Sequence, residues 1–138
     1  MNDYTYLFEQ VHPGKIMIGA LIAIPTLYAG ISIHNRNKYY KLSKMSPDKA
    51  INQYGLKKYV KSLEVAAGVD TQDAIMKIEI RYTKDDHEQA VPKLSKNAAK
   101  KILSVYISKL SGLKKYHKTE EDSQIIDKAI VKLKKYVI

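Results

Sequence analysis

Between Ile16 and Ile33 the chain carries eighteen consecutive residues without a charge, preceded by Lys15 and followed by His34-Asn35-Arg36. A helix of that length is about 27 Å long at roughly 1.5 Å per residue, close to the thickness of the hydrocarbon core of a bilayer. No other uncharged run in the chain is as long. The pattern predicts one transmembrane helix over residues 16–33.

Two other interpretations of this segment compete with a membrane span. A cleaved signal peptide typically begins with basic residues and ends with small residues at its cleavage site, whereas this chain begins with an acidic and aromatic stretch. Leu27 and Tyr28 stand where small residues would be needed before Ala29 or Gly30. A buried core helix is the other alternative, but a small domain has little surface with which to cover an all-round apolar helix.

Small residues are spaced along the same segment in a way that favours helix association. Successive residues turn by about 100° in a helix, which places four of them within about 60° of one another. Such a stripe lets a second helix approach closely within lipid, although small residues are also simply common in membrane helices. The predicted helix-packing residues are Gly19, Ala23, Thr26 and Gly30.

The rest of the chain has the pattern of amphipathic helices. Ser46-Pro47-Asp48 is a typical helix start, and Gly68 is a plausible end of the helix that follows. Residues 74–83 alternate like a strand, yet their apolar positions also fit a helix, which we favour because no partner strand is visible.

Two further helices are predicted near the C-terminus. Leu94 to Leu113 is apolar on one side, and Thr119-Glu120-Glu121-Asp122 resembles a capping box that begins the last helix. A short loop between them indicates an antiparallel hairpin. The predicted fold class is mainly α, with a short N-terminal arm (1–15), a transmembrane helix (16–33), a basic juxtamembrane linker (34–45) and a small helical domain (46–138).

Charge is distributed unevenly along this 138-residue chain, whose formal net charge is +10. Residues 34–44 hold four bases and no acid, and eight lysines lie between Glu88 and Glu120 with no acid among them. Because the basic excess follows the apolar segment, the positive-inside rule predicts that the C-terminal domain faces the cytoplasm or the matrix at a bacterial or mitochondrial inner membrane.

The lysine-rich surface is the strongest candidate for a binding function. It can attract anionic lipid headgroups, an acidic protein partner or nucleic-acid phosphates, while a solvated face that keeps the domain soluble is the plainer explanation. The residues predicted to contact lipid or an anionic partner are Arg36, Lys38, Lys41, Lys44, Lys93, Lys96, Lys100, Lys101, Lys114 and Lys115.

No pattern in the sequence indicates catalysis. The chain has no cysteine, and the acidic run Asp85-Asp86-His87-Glu88 lacks the spacing of a calcium or zinc site. We therefore expect no enzyme activity, metal, cofactor or small-molecule substrate. The predicted function is a non-catalytic, single-pass accessory subunit or assembly factor of a membrane complex, with membrane lipids and other subunits as partners. The alternative is a membrane-tethered protein that binds nucleic acid.

Overall fold

The computed structural model of the chain describes residues 27–82 and 90–136, which form helices and contain no strand. This confirms a mainly helical fold for that part of the chain. The helices are α1 (Ile33–Ser43), α2 (Pro47–Tyr54), α3 (Leu56–Tyr82), α4 (Ala90–Gly112), a 3-10 turn (Leu113–Tyr116) and α5 (Glu120–Lys134).

The long helix α3 is the centre of the fold, and α1, α2, α4 and α5 all pack against it. The core between them contains the fully buried side chains of Leu63 on α3, Leu103 and Leu110 on α4, and Leu133 on α5. Each such side chain stabilises the fold by about 1.5–3 kcal/mol relative to exposure. Burial of this core therefore fixes the positions of the surrounding helices.

Two helix starts are set by side chains that accept hydrogen bonds from the backbone. Ser32 Oγ accepts from the Asn35 N–H at 3.2 Å, and Thr119 Oγ1 accepts from the Asp122 N–H at 3.1 Å. Asp122 in turn accepts from the Lys118 N–H at 3.1 Å. The predicted start of the last helix at Thr119 is confirmed, and α2 begins at Pro47 as its sequence indicates.

Gly55, and not Gly68, marks the boundary between the middle helices. Gly55 has a φ of +93°, a backbone conformation that side chains disfavour, and it separates α2 from α3. The predicted helix end at Gly68 is wrong, because α3 continues through this residue to Tyr82. The favoured helical interpretation of residues 74–83 is confirmed as far as Tyr82, the last described residue before the gap.

The prediction of one unbroken helix over residues 16–33 is wrong at its C-terminal end. Leu27 and Tyr28 lie in a short 3-10 turn and are each only 1% exposed, because they pack into the domain core beside Gly68. Gly30 has a φ of +80° and Ser32 is extended, so a new helix starts only at Ile33. The predicted basic linker 34–45 forms most of this new helix, α1.

The remainder of the predicted membrane segment, residues 16–26, lies outside the described residues, as do Gly19, Ala23 and Thr26. Gly30, the fourth residue of the predicted packing stripe, lies in a turn rather than on a helix face. Among the helices of residues 27–82 and 90–136, none combines the length and the apolar character needed to cross a bilayer.

Candidate anion-binding groove

A groove of about 780 Å³ lies between α1, the end of α2 and the start of α3. Tyr54 and Lys58, on the two sides of Gly55 where α2 ends and α3 begins, both line it together with residues of α1. The described residues that line it are Gly30, Ile31, Asn35, Lys38, Tyr39, Lys41, Leu42, Met45, Tyr54 and Lys58. We call this site the α1 groove.

The lining of the α1 groove combines apolar side chains with lysines. Ile31, Leu42 and Met45 supply aliphatic surface, and all three pack in or against the hydrophobic core. Lys38 and Lys41 are exposed and are three positions apart on α1, which places them on the same side of that helix. Among the described lining residues there is no carboxylate, so the electrostatic potential of this groove is positive.

Tyr54 forms part of the wall where α2 meets α3. Its side chain is 44% exposed, and the Lys58 ammonium lies 5.6 Å from the centre of its ring. A cation over a tyrosine ring is attracted by the ring's quadrupole, worth about 0.5–1 kcal/mol at an exposed site. The contact helps to hold the Lys58 ammonium at the edge of the groove.

A second depression of about 620 Å³ adjoins the α1 groove and shares Tyr39, Tyr54 and Lys58 with it. Its other described lining residues come from α3 and α5: Lys57, Val60, Lys61, Glu64, Ile125, Lys128 and Lys132. Glu64 is its only described acid, and Glu64 Oε2 lies 3.4 Å from Lys132 Nζ and 3.9 Å from Lys61 Nζ. The positive surface therefore extends from α1 across α3 to α5.

One of the predicted partner-binding lysines, Lys44, also has partners within the fold. Lys44 Nζ lies 3.8 Å from Asp70 Oδ2 and 4.7 Å from the centre of the Tyr40 ring. Asp70 also accepts hydrogen bonds from the hydroxyls of Tyr40, at 2.7 Å, and Tyr106. This cluster joins α1, α3 and α4, and the Lys44 side chain at its edge is 48% exposed.

The same cluster perturbs its two tyrosines. The hydrogen bond to Asp70, together with burial, raises the pKa of Tyr40 to about 12. Burial, followed by the hydrogen bond to Asp70, raises the pKa of Tyr106 above its ordinary value. Both effects favour the protonated hydroxyl, which donates to the carboxylate.

Other predicted binding residues also have partners in the fold. The Arg36 guanidinium lies 4.5 Å from the centre of the Tyr28 ring and donates to the Ile31 carbonyl at 3.4 Å. Lys114 Nζ lies 2.9 Å from Asp127 Oδ1, and both side chains are about half exposed. Arg36 therefore helps to fix the turn before α1, and Lys114 forms a surface ion pair with α5.

The remaining predicted lysines lie at three places on the surface. Lys38 and Lys41 line the α1 groove. Those of the first half of α4 line neither the groove nor the adjoining depression, and Lys115 contributes to a smaller depression beside Tyr116. The α4 lysines are Lys93, Lys96, Lys100 and Lys101, all exposed except for Lys100, which is half-buried.

Several acids of the described chain have partners in the fold, whereas most lysines face solvent. Residues 27–82 and 90–136 contain 22 lysine or arginine residues and nine acids, an excess of 13. Asp70, Glu64 and Asp127 have cationic partners, and Asp122 caps α5. An excess of this size, exposed and unevenly paired, favours association with anionic partners.

The sequence did not identify five lysines and two tyrosines that line these depressions. They come from four helices, α1, α2, α3 and α5, and only packing brings them together. The local signals were the one-turn spacings of Lys57 and Lys61 on α3 and of Lys128 and Lys132 on α5. The residues are Tyr39, Tyr54, Lys57, Lys58, Lys61, Lys128 and Lys132.

In the part of the chain that the structure describes, no group of three or more histidine or acidic side chains is placed to hold a metal ion. The run Asp85-Asp86-His87-Glu88 lies outside it.

Comparison with known proteins gives no matching family model, and it finds no significant similarity to a curated protein or to a solved structure. The function proposed for this chain accordingly depends on the chemistry of its own surface.

Proposed function

We propose that this protein is a non-catalytic accessory protein that docks on the anionic face of a membrane through its lysine-rich helical domain. The observation that carries the proposal is the α1 groove, whose exposed lysines border aliphatic and tyrosine side chains. A lipid headgroup region presents the complementary chemistry, with anionic phosphates next to apolar chains. Lysines near such a surface contribute about 1 kcal/mol each.

The burial of Leu27 and Tyr28 changes how membrane contact is best explained. With these residues assigned to the domain core, the uncharged stretch that precedes the domain shortens to eleven residues, 16–26. A transmembrane helix needs about 20 consecutive apolar residues, and this stretch alone is shorter than that. We therefore assign the main membrane contact to the surface of the helical domain and propose a peripheral position, in place of the expected single-pass span.

Nucleic acid is the competing anionic partner. Its phosphates would be attracted by the same lysines, and unpaired bases would need exposed aromatic faces on which to stack. Tyr39 is half-buried, and the Lys58 ammonium already lies over the ring of Tyr54. The partial burial of Tyr39 and the lysine over the Tyr54 ring favour a lipid surface as the partner.

The proposal is tested by sedimenting the full-length protein with lipid vesicles. We expect it to sediment with vesicles containing phosphatidylglycerol, to remain free with vesicles of phosphatidylcholine alone, and to be released progressively by salt. A mobility-shift titration with single-stranded and double-stranded nucleic acid is run beside it. Sedimentation that does not increase with phosphatidylglycerol contradicts the proposal. Tight binding to nucleic acid without binding to vesicles supports the alternative.

A further inference from the structure

We propose that the α1 groove binds a single anionic phospholipid molecule, with its phosphate at the lysine edge and one acyl chain along the apolar wall. This inference rests on the proposed docking at an anionic membrane and goes beyond it. A docked protein needs only charge at a distance, whereas this groove has the volume and lining of a ligand site. Binding in the groove would make the protein selective for a lipid that has both an anionic headgroup and an acyl chain.

The size of the groove is that of a small-molecule site. Its volume of about 780 Å³ lies within the range of about 300–1,000 Å³ that is usual for such sites, which are lined mainly by apolar groups with a few polar ones. Ile31 and Met45 are half-buried, and Leu42 is only 6% exposed. An acyl chain lying over these side chains would shield apolar surface that now contacts water.

The charged residues of the groove specify that its ligand carries a negative charge. Lys38, Lys41 and Lys58 line it, and no described acid accompanies them there. Glu64, the one described acid that lines the adjoining depression, forms ion pairs with Lys61 and Lys132. A neutral chain would leave the three ammonium groups without a counter-ion, whereas a phosphate would be attracted by all of them.

The two features together favour a phospholipid over the other anionic ligands. An inorganic phosphate or a sugar phosphate would use the lysines and leave the apolar wall uncovered. A neutral detergent would do the opposite. Only a molecule with an anionic head and an aliphatic chain complements both, and a membrane surface supplies it at high local concentration.

The test measures by calorimetry how monomeric lipids bind to the full-length protein. Each lipid is kept below its critical micelle concentration. The probes are lysophosphatidylglycerol of increasing chain length, lysophosphatidylcholine and glycerol 3-phosphate. We expect lysophosphatidylglycerol to bind with one-to-one stoichiometry, and its affinity to rise up to about fourfold for each added methylene that enters the groove. We expect the other two probes to bind at least about tenfold more weakly than the longest anionic lipid that fits.

Two pairs of variants locate the site. Lys38→Glu/Lys41→Glu should weaken the binding of lysophosphatidylglycerol about tenfold or more. Lys93→Glu/Lys96→Glu makes the same charge change at exposed positions on α4 and should leave this one-to-one affinity within about twofold of the original. Ile31→Gln should reduce the increase in affinity with acyl-chain length. Ile33→Gln, at an exposed position outside the groove, should not.

The outcomes separate this inference from the proposed function. Affinity that is independent of chain length, or equal losses in both double variants, overturns the groove assignment even when anionic vesicles still recruit the protein. Absence of vesicle binding overturns the proposed function itself. Circular dichroism of each variant shows whether a loss of binding reflects a loss of fold, and the surface positions chosen make unfolding an unexpected result.

Discussion

The ring of Tyr28 occupies the space that a side chain at Gly68 would need. A Cβ atom built on Gly68 would lie 2.7 Å from Tyr28 Cδ1 and 3.1 Å from Leu27 Cβ. The first of these distances is well below normal van der Waals contact. A glycine in the middle of α3 is therefore the condition that lets the turn before α1 pack into the core.

Substitution of this glycine should destabilise the protein. Gly68→Ala adds a methyl group to a filled site, and such overpacking typically costs about 1–3 kcal/mol. The gain in helix propensity offsets up to about 1 kcal/mol of that. We expect a lower midpoint in urea denaturation followed by circular dichroism.

Gly112 provides the matched control, because nothing lies within 4 Å of a Cβ built there. Gly112→Ala at the end of α4 should be neutral or slightly stabilising. The Tyr28→Ala background should reduce the cost of Gly68→Ala, since the ring that blocks the methyl group is gone. Equal effects of the two alanine substitutions in the original protein would contradict this account of the packing.

Removing the carboxylate of Asp70 should also be costly. Asp70→Ala deprives the hydroxyls of Tyr40 and Tyr106 of their acceptor, and an unsatisfied buried donor costs about 1–3 kcal/mol. Asp127→Ala is the control, because its ion pair with Lys114 is exposed and such pairs are worth about 0–1 kcal/mol. Denaturant midpoints of the two variants measure the difference, and a smaller effect at Asp70 than at Asp127 would argue against a structural role for the cluster.

The raised pKa of Tyr40 should make stability depend on alkaline pH. An unfolded tyrosine loses its proton near pH 10, whereas folded Tyr40 holds it to about pH 12. Between these values the folded state binds more protons than the unfolded state, so the free energy of unfolding falls as the pH rises. Below about pH 10 the stabilising contribution is fully present.

Tyr40→Phe isolates this effect, because every other titratable group is present in both proteins. The variant should be less stable than the original protein at neutral pH, and the difference should narrow as the pH rises from about 10 toward about 12. Urea denaturation at a series of pH values gives the two curves. Parallel curves over that interval would show that Tyr40 ionises equally easily in both states.

Salt should have opposite effects on stability and on membrane binding. The described residues carry an excess of 13 positive charges, whose mutual repulsion opposes a compact fold. Screening over about 10 Å at 0.1 M salt weakens that repulsion, so the melting temperature should rise with sodium chloride while vesicle binding falls. Lys93→Glu/Lys96→Glu should show a smaller rise, and a melting temperature that falls with salt would contradict the expectation.

The sequence determined the helical class, the starts of α2 and α5 and the basic character of the surface, because these follow from local periodicity, capping and composition. It could not determine that Leu27 and Tyr28 belong to the core, since their burial depends on Gly68, forty residues away in the chain. For the same reason Gly68 resembled a helix end when only its neighbours were considered.

The lysines divide in the same way between what is local and what is not. Their number and their separation from acids are properties of the chain, and they sufficed to predict an anionic partner. Which lysine pairs with Asp70, and which ones border the α1 groove, was decided only by tertiary packing, because α1, α2 and α3 meet there and a side chain's neighbours across helices leave no local pattern.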